Sequence, residues 1–284
     1  MVNLKGKVCL VTGGTSGIGL VTAKEFARMG ATTIVTYRDD KRGKAALADI
    51  IQYSQNNDVH LLRCDFSSQA SIQSFCELVN KKFHRLDRLV NNAGLMSPKR
   101  IETDLGIELT FAVNHLGYFI TTNLLLDLIT STAESRIINV ASDLHFSGNI
   151  DLNDLNHNHH YHGFSAYCDS KLANVLFTYQ LAKVIQKTRT TANTLHPGVI
   201  KTKFSIEDRN STMTFPMGQI SPEEGAKAQL YLSTSPDLQT VSGRYFNQMR
   251  MERSSVASYD EALADQLWQK SVDFMNMKIG TPAN

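Results

Sequence analysis

The chain has 284 residues, 42% of them apolar and 20% charged, with a formal net charge of +2 at pH 7. That is an ordinary soluble globular composition, and with no internal repeat, low-complexity linker or Pro/Gly/Ser-rich seam a single domain spanning 1–284 is expected. The small, dispersed charge leaves no nucleic-acid footprint, and four scattered cysteines (Cys9, Cys64, Cys76 and Cys168) without a C-x-x-C pair read as reduced thiols of a cytoplasmic protein.

Membrane signals are not found either. From Met1 the chain passes through Lys5 and Lys7 directly into a strand-like run, which leaves no room for a signal peptide or anchor helix. Its most apolar long stretch, Leu109 to Ile129, contains Asn114, His115, Asn123 and Asp127, too polar for an unbroken span. A buried core helix is expected there, and no integral membrane segment.

Taken in order, Val8 to Thr12 is a short apolar run of the kind buried on both faces of a parallel sheet. The segment Gly13-Gly14-Thr15-Ser16-Gly17-Ile18-Gly19 follows, and then an amphipathic helix from Leu20 to Met29, stopped by Gly30. A glycine-rich turn between a strand and a helix N-terminus offers backbone N–H groups and the positive end of the helix dipole to a pyrophosphate. The spacing is a variant of the dinucleotide fingerprint, with a plain glycine turn as the alternative.

The second strand, Thr32 to Tyr37, ends in Arg38. A basic residue at this point suits a 2′-phosphate, where an acid would suit a ribose 2′-hydroxyl. Arg38 therefore favours NADP(H) over NAD(H); a solvated charged turn from Arg38 to Lys41 is the plain alternative. Val59 to Cys64 is a third strand running into Asp65, Ser67-Ser68 opens a helix ending near Lys82, and Leu86 to Val90 is a fourth strand ending in Asn91-Asn92-Ala93-Gly94. Such a small, polar turn stands where doubly wound sheets hold their ligand. Arg136 to Ser142 is the fifth strand.

The polar segment Asp151 to His162 carries His157, His159, His160 and His162. Without a nearby cysteine or a fixed helical spacing to complete a ligand set, it reads as a solvated loop and no metal is expected. Next come Tyr167 and Lys171, which share a helix face at i and i+4. A phenol titrates near ~10, and a fixed positive charge beside it lowers that value, so the pair is expected to act as a tuned acid/base. A core tyrosine beside a solvated lysine is the plain alternative.

The same helix continues to Val184. A sixth strand, Thr191 to Leu195, leads to His196-Pro197-Gly198-Val199, and residues 201–221 read as an apolar lid holding Phe204, Met213, Phe215, Pro216 and Met217. Ser221-Pro222-Glu223-Glu224 is a helix start, Ser242 to Asn247 a last strand, and Glu261 to Met275 a final amphipathic helix.

The glycine loop, Asn91-Asn92-Ala93-Gly94, Ser142 and Tyr167-x-x-x-Lys171, in that order, resemble the short-chain dehydrogenase/reductase family over nearly the whole chain. The run Tyr167 to Thr178 and Leu195-His196-Pro197-Gly198-Val199 looks like its retinol-dehydrogenase-like branch. The resemblance implies an α/β doubly wound parallel sheet (Rossmann fold) of about seven strands and hydride transfer between NADP(H) and a small lipophilic carbonyl or alcohol. It implies that Tyr167 is the general acid/base, Ser142 holds the substrate oxygen, Lys171 holds the nicotinamide ribose and lowers the Tyr167 pKa, and Asn114 fixes the active-site helix and a relay water. It further implies cofactor contacts from Gly13, Thr15, Ser16, Gly17, Ile18 and Gly19 at the pyrophosphate and Arg38 at the 2′-phosphate. Asp65 and Phe66 would stand at the adenine, Asn92, Ala93 and Gly94 at the adenosine ribose, and Pro197, Gly198, Val199 and Thr202 along the nicotinamide, with Tyr167 and Lys171 at its ribose. Homodimers or homotetramers would form through the helices bearing Asn114 and Tyr167. Ala141, where many relatives carry a second serine, and the bulky Tyr37 before Arg38 depart from the pattern. Two competing readings are a light-dependent protochlorophyllide-reductase-like enzyme and a cofactor-binding sensor or scaffold without turnover.

Overall fold

The computed structural model describes residues 2–200 and 219–276. Strands β1 (Val8–Val11), β2 (Thr32–Tyr37), β3 (Val59–Arg63), β4 (Arg88–Asn91), β5 (Arg136–Val140), β6 (Thr191–His196), β7 (Tyr245–Asn247) and β8 (Arg250–Glu252) form one sheet. Its order is β3-β2-β1-β4-β5-β6-β7-β8, parallel from β3 to β7 and closed by the antiparallel pair β7–β8. Side chains alternate across the pleat: Val8 and Leu10 enter one core while Cys9 and Val11 enter the other. The first core is covered by α3 (Gln69–Lys82), α7 (Gly163–Val184) and α9 (Glu261–Asn276), the second by α1 (Gly17–Arg28), α2 (Asp40–Ser54) and α8 (Pro222–Thr234). The doubly wound parallel architecture is therefore present, with an eighth strand beyond the seven expected.

Helix starts follow local chemistry. Asp39, Ser68 and Ser221 accept hydrogen bonds from the N–H groups of Arg42, Ser71 and Glu224, satisfying donors that the first turn leaves unpaired. Arg38 to Lys41 is thus no free turn: Asp39 is the N-cap of α2, a helix that the weakly periodic stretch after it did not announce. Glu108 likewise caps α4 (Leu109–Phe111) through the N–H of Phe111.

The long apolar helix expected from Leu109 to Ile129 is broken. After α4 comes a π-helical turn, Ala112–Leu116, then α5 (Gly117–Leu124) and α6 (Leu126–Thr130). Asn114 lies in the middle of the π turn, and such turns concentrate at functional positions. The strand expected from Ser242 is shorter, Tyr245–Asn247, and β8 has no sequence signal because Arg250, Met251 and Glu252 are all exposed and carry no alternating pattern. The proposed lid and Thr202 fall almost wholly outside the described residues. Among the described residues no helix is long and apolar enough to cross a membrane.

Candidate active site

The end of β5, the π turn and α7 bring the expected groups to one place. Ser142 follows β5 and is the N-cap of a short 3-10 helix, Asp143–Ser147, with its hydroxyl accepting from the N–H of Leu144 at 3.2 Å. Tyr167, in the second turn of α7, shares a hydrogen bond with the Ser142 hydroxyl. One turn on, the Lys171 ammonium lies 5.4 Å from the Tyr167 ring centroid and 5.8 Å from that of Tyr118, and it donates to the main-chain oxygen of Val140 at 3.0 Å. Asn114 clamps the strand end: its amide accepts from the N–H of Leu95 at 2.8 Å, donates to the Leu95 carbonyl at 2.9 Å, and donates to the Ser170 hydroxyl at 3.0 Å. The segment after Gly94 is thereby tied to α7.

Electrostatics depart from expectation. Burial drives the Tyr167 phenol up, with only the Ser142 hydrogen bond pulling the other way, and burial pushes Lys171 down to about 7. Lys171 is 2% exposed, and an ammonium without water is disfavoured. Burial thus opposes the lowering of the tyrosine expected from its neighbour.

The cofactor cradle is built by close approach. Gly13 has φ +66° and an added Cβ would come within 2.8 Å of the Ala93 backbone, so only glycine lets the two turns meet. Thr12 Oγ1 holds the other side, accepting from the N–H groups of Asn92 at 2.8 Å and Ala93 at 3.0 Å. A Cβ on Gly19 would strike the Asn92 amide, and that amide donates to the Thr12 carbonyl at 2.9 Å. Ser16 precedes Gly17 as the N-cap of α1, yet its hydroxyl caps nothing, which leaves it and the first-turn N–H groups beside Thr15 for an anion. Ile18 packs near Gly225 of α8. Asp65 accepts from the N–H of Ser67 at 3.0 Å and its hydroxyl at 2.6 Å. Phe66 turns its ring into the core against Gly117, so only its main chain is left for a ligand. Beyond β6, Pro197 and Gly198 are buried, Gly198 at φ +95°, and the Val199 carbonyl accepts from Ile220 at 2.8 Å.

The family profile for short chain dehydrogenases matches residues 7–212. The chain belongs to the short-chain dehydrogenase family. It is 39% identical to human retinol dehydrogenase 13, over 97% of this chain and 86% of that one, and 37% identical to mouse retinol dehydrogenase 14, over 94% and 85%. Among solved structures, an uncharacterised protein from Mycobacterium paratuberculosis has a TM-score of 0.80 at 28% identity over 99% of this chain and 97% of its own. A Burkholderia cenocepacia short chain dehydrogenase in complex with NADP has a TM-score of 0.68 at 25% identity, over 86% and 97%. The chain accordingly sits with the retinol-dehydrogenase-like branch of this oxidoreductase family.

Three features of this short-chain dehydrogenase lie outside the sequence expectations. Arg42, on the first full turn of α2, reaches Ser16 Oγ at 3.1 Å, bringing a second guanidinium to the end of β2 near the exposed Arg38. Tyr37 is turned away over Gly43, where a Cβ would lie 2.8 Å from its ring; its bulk lies against α2. The signal available in the sequence was Asp39 as a helix cap, which places Arg42 in the first turn of α2.

Secondly, the histidine-bearing loop is docked. Asn156 accepts from the N–H of Glu108 at 3.0 Å, Tyr161 donates to the Ser97 carbonyl at 2.8 Å, and His157 pairs with Asp169 on α7 at 3.4 Å. Among the described residues no three His, Cys, Asp or Glu side chains converge as a metal site. Thirdly, α9 covers the helices on which a dimer was expected: Trp268 lies 4.9 Å from Phe119 and 5.8 Å from Phe177, and Phe274 lies 6.2 Å from Phe111.

Proposed function

We propose that this chain is an NADP(H)-dependent oxidoreductase that moves a hydride between the nicotinamide and the carbonyl or alcohol carbon of a small lipophilic substrate. The observation that carries the reading is the bonded pair of Ser142 and Tyr167 hydroxyls with Lys171 behind the tyrosine ring, beside a turn shaped by Gly13, Gly19 and Asn92. The cradle fits a dinucleotide: its small residues clear a path for a pyrophosphate, and the first turn of α1 offers it unpaired donors.

Gly13, Thr15, Ser16, Gly17, Ile18 and Gly19 would hold the pyrophosphate, Asp65 and the Phe66 main chain the adenine, and Asn92, Ala93 and Gly94 its ribose. Pro197, Gly198, Val199 and Thr202 would lie along the nicotinamide, which supplies or takes up the hydride. Preference for NADP(H) over NAD(H) rests on Arg38 and Arg42, and on Asp39, the nearest acid, one carboxylate oxygen of which is engaged by the N–H of Arg42 at 2.8 Å.

Tyr167 starts protonated because of its burial, the state needed to give a proton to a carbonyl oxygen in reduction. Ser142 donates to the same oxygen as charge develops there. Lys171 favours the phenolate that remains, and Asn114 keeps α7 in register with the strand ends. In alcohol oxidation the same proton returns to Tyr167. The lipophilic substrate class is carried over from the retinol dehydrogenases to which the chain is similar.

The test is turnover of a panel of lipophilic aldehydes and ketones with NADPH and NADH, alongside fluorescence titration of both nucleotides. Wild-type protein is expected to bind and oxidise NADPH, and Tyr167→Phe to bind it without turnover. Equal activity in that variant rejects the mechanism, and binding without any turnover in the wild type points to a sensor.

A further inference from the structure

The amide of Asn174, one turn after Lys171 on α7, is 0% exposed. Its nitrogen donates to the main-chain oxygen of Asn114 at 2.9 Å and lies 3.5 Å from the main-chain oxygen of Val140, the same oxygen that receives Lys171 at 3.0 Å. The carbonyl of Asn114 is in the π turn and that of Val140 ends β5, so one side chain spans the two elements between which the lysine stands. From behind, the main-chain oxygen of Asn174 accepts from Thr178 at 2.7 Å, and Thr178 Oγ1 accepts from Asn139 of β5 at 2.9 Å.

The other end of the amide leads away from the site. Asn174 Oδ1 and His115 Nδ1 are both buried and each lacks another hydrogen-bond partner, and the amide is the side chain that acts on the imidazole. A ring with its proton on Nδ1 would join the two, with Nε2 then accepting the Ser271 proton that otherwise goes to the Leu267 carbonyl at 2.8 Å. His115 Nε2 then meets Ser271 of α9 at 2.9 Å. Every link is buried: His115 and Ser271 are both 0% exposed.

We infer that Asn174 is a positioning residue for Lys171, oriented through His115 by Ser271, so that docking of the C-terminal helix is coupled to the geometry of the catalytic lysine. The inference rests on the oxidoreductase reading only for its kinetic consequence. The groups facing Lys171 are the phenols of Tyr118 and Tyr167 and the Val140 carbonyl. Among the described residues no charged side chain faces it, burial disfavours its charged form, and in such a site the orientation of nearby amide and carbonyl dipoles bears on the proton affinity.

Asn174→Ala withdraws two N–H dipoles from the ammonium and frees two carbonyls toward it. Two measurements test this on the full chain. The first is the 15Nζ titration of Lys171 by NMR in protein labelled at lysine, assigned by comparison with Lys171→Met; it needs neither cofactor nor turnover. Its midpoint is expected to rise by about one unit in Asn174→Ala and by less in Ser271→Ala. The second is the pH profile of kcat with NADPH: the limb assigned to the site moves in the same direction, and kcat falls roughly ten- to hundredfold while KM for NADPH changes less than about twofold. A purely structural amide would lower the melting temperature and scale kcat equally at every pH, with the lysine midpoint unmoved, and that result overturns the inference. Ser271→Ala, a small change remote from the lysine, supplies the answer if Asn174→Ala does not fold: an unmoved midpoint in it removes the coupling to α9. Absence of turnover in the wild type would count against the oxidoreductase reading, and the NMR titration would still decide the inference.

Discussion

Arg42 donates to the hydroxyl of Ser16 across the gap between the first turns of two helices, 3.1 Å from nitrogen to oxygen. Ser16 caps α1 in position without bonding to it, so the guanidinium holds the hydroxyl at the rim of the glycine turn, next to Arg38.

Removing either arginine is expected to weaken NADPH selectively. A charge-assisted hydrogen bond to phosphate is worth roughly 1.5–3 kcal/mol, and exposure brings the expectation to the lower end, about a tenfold loss of NADPH affinity. Arg42→Ala and Arg38→Ala should each show this loss with NADH affinity unchanged, read by nicotinamide fluorescence. Parallel losses for both nucleotides would place the arginines elsewhere than at the 2′-phosphate.

Lys171→Met is expected to stabilise the cofactor-free protein while abolishing turnover. The folded-state value of Lys171 is depressed from 10.5 to about 7. The stability difference is therefore absent above the unfolded value and grows as pH falls through the window between the two. A gain of roughly 1–3 kcal/mol at pH 7, shrinking toward pH 10, should appear in denaturant unfolding. A gain that does not change with pH would mean that the lysine is already hydrated.

His115 contributes to acid sensitivity. Its value is lowered to about 4, chiefly by burial and in spite of its contact with Asn174. The neutral ring is accommodated above pH 6.5, and stability attached to it is lost as pH falls from there toward 4, at up to ~1.4 kcal/mol per unit. His115→Gln should flatten that part of the stability curve even if it lowers the plateau; an unchanged slope would assign acid loss to other groups.

Docking of α9 can be watched directly, because Trp268 is the one tryptophan of the chain. Leu267, 1% exposed, anchors it, and Leu267→Ala should cost about 2–5 kcal/mol with a red shift of tryptophan emission. Since α9 occupies faces of α5 and α7 on which a partner was expected, sedimentation of the wild type should show no dimer built on those faces. Crosslinking between copies through residues of α5 would contradict that arrangement.

Much was determined by the sequence itself. Strands β2 and β6, the helix starting at Ser221 and the order glycine loop, Asn92 turn, Ser142, Tyr167 and Lys171 depend on local signals: apolar runs, caps, glycines and an i, i+4 step. Those survive in any fold that uses them, which is why the family and the parallel sheet were legible. The π turn at Asn114 and the exposed β8 carry no such local mark, and the helix after Arg38 carries only its cap, Asp39.

The tertiary structure alone decided the protonation tendencies of Tyr167 and Lys171, because desolvation depends on what a distant part of the chain places over a group, and here it outweighs the attraction between the neighbours. It alone joined Arg42 to Ser16, Asn174 to Asn114 and Val140, and Ser271 to His115. Each of these contacts is short-ranged and directional, between residues far apart in the chain, and only the packing of helices across the sheet brings them within a hydrogen bond of each other.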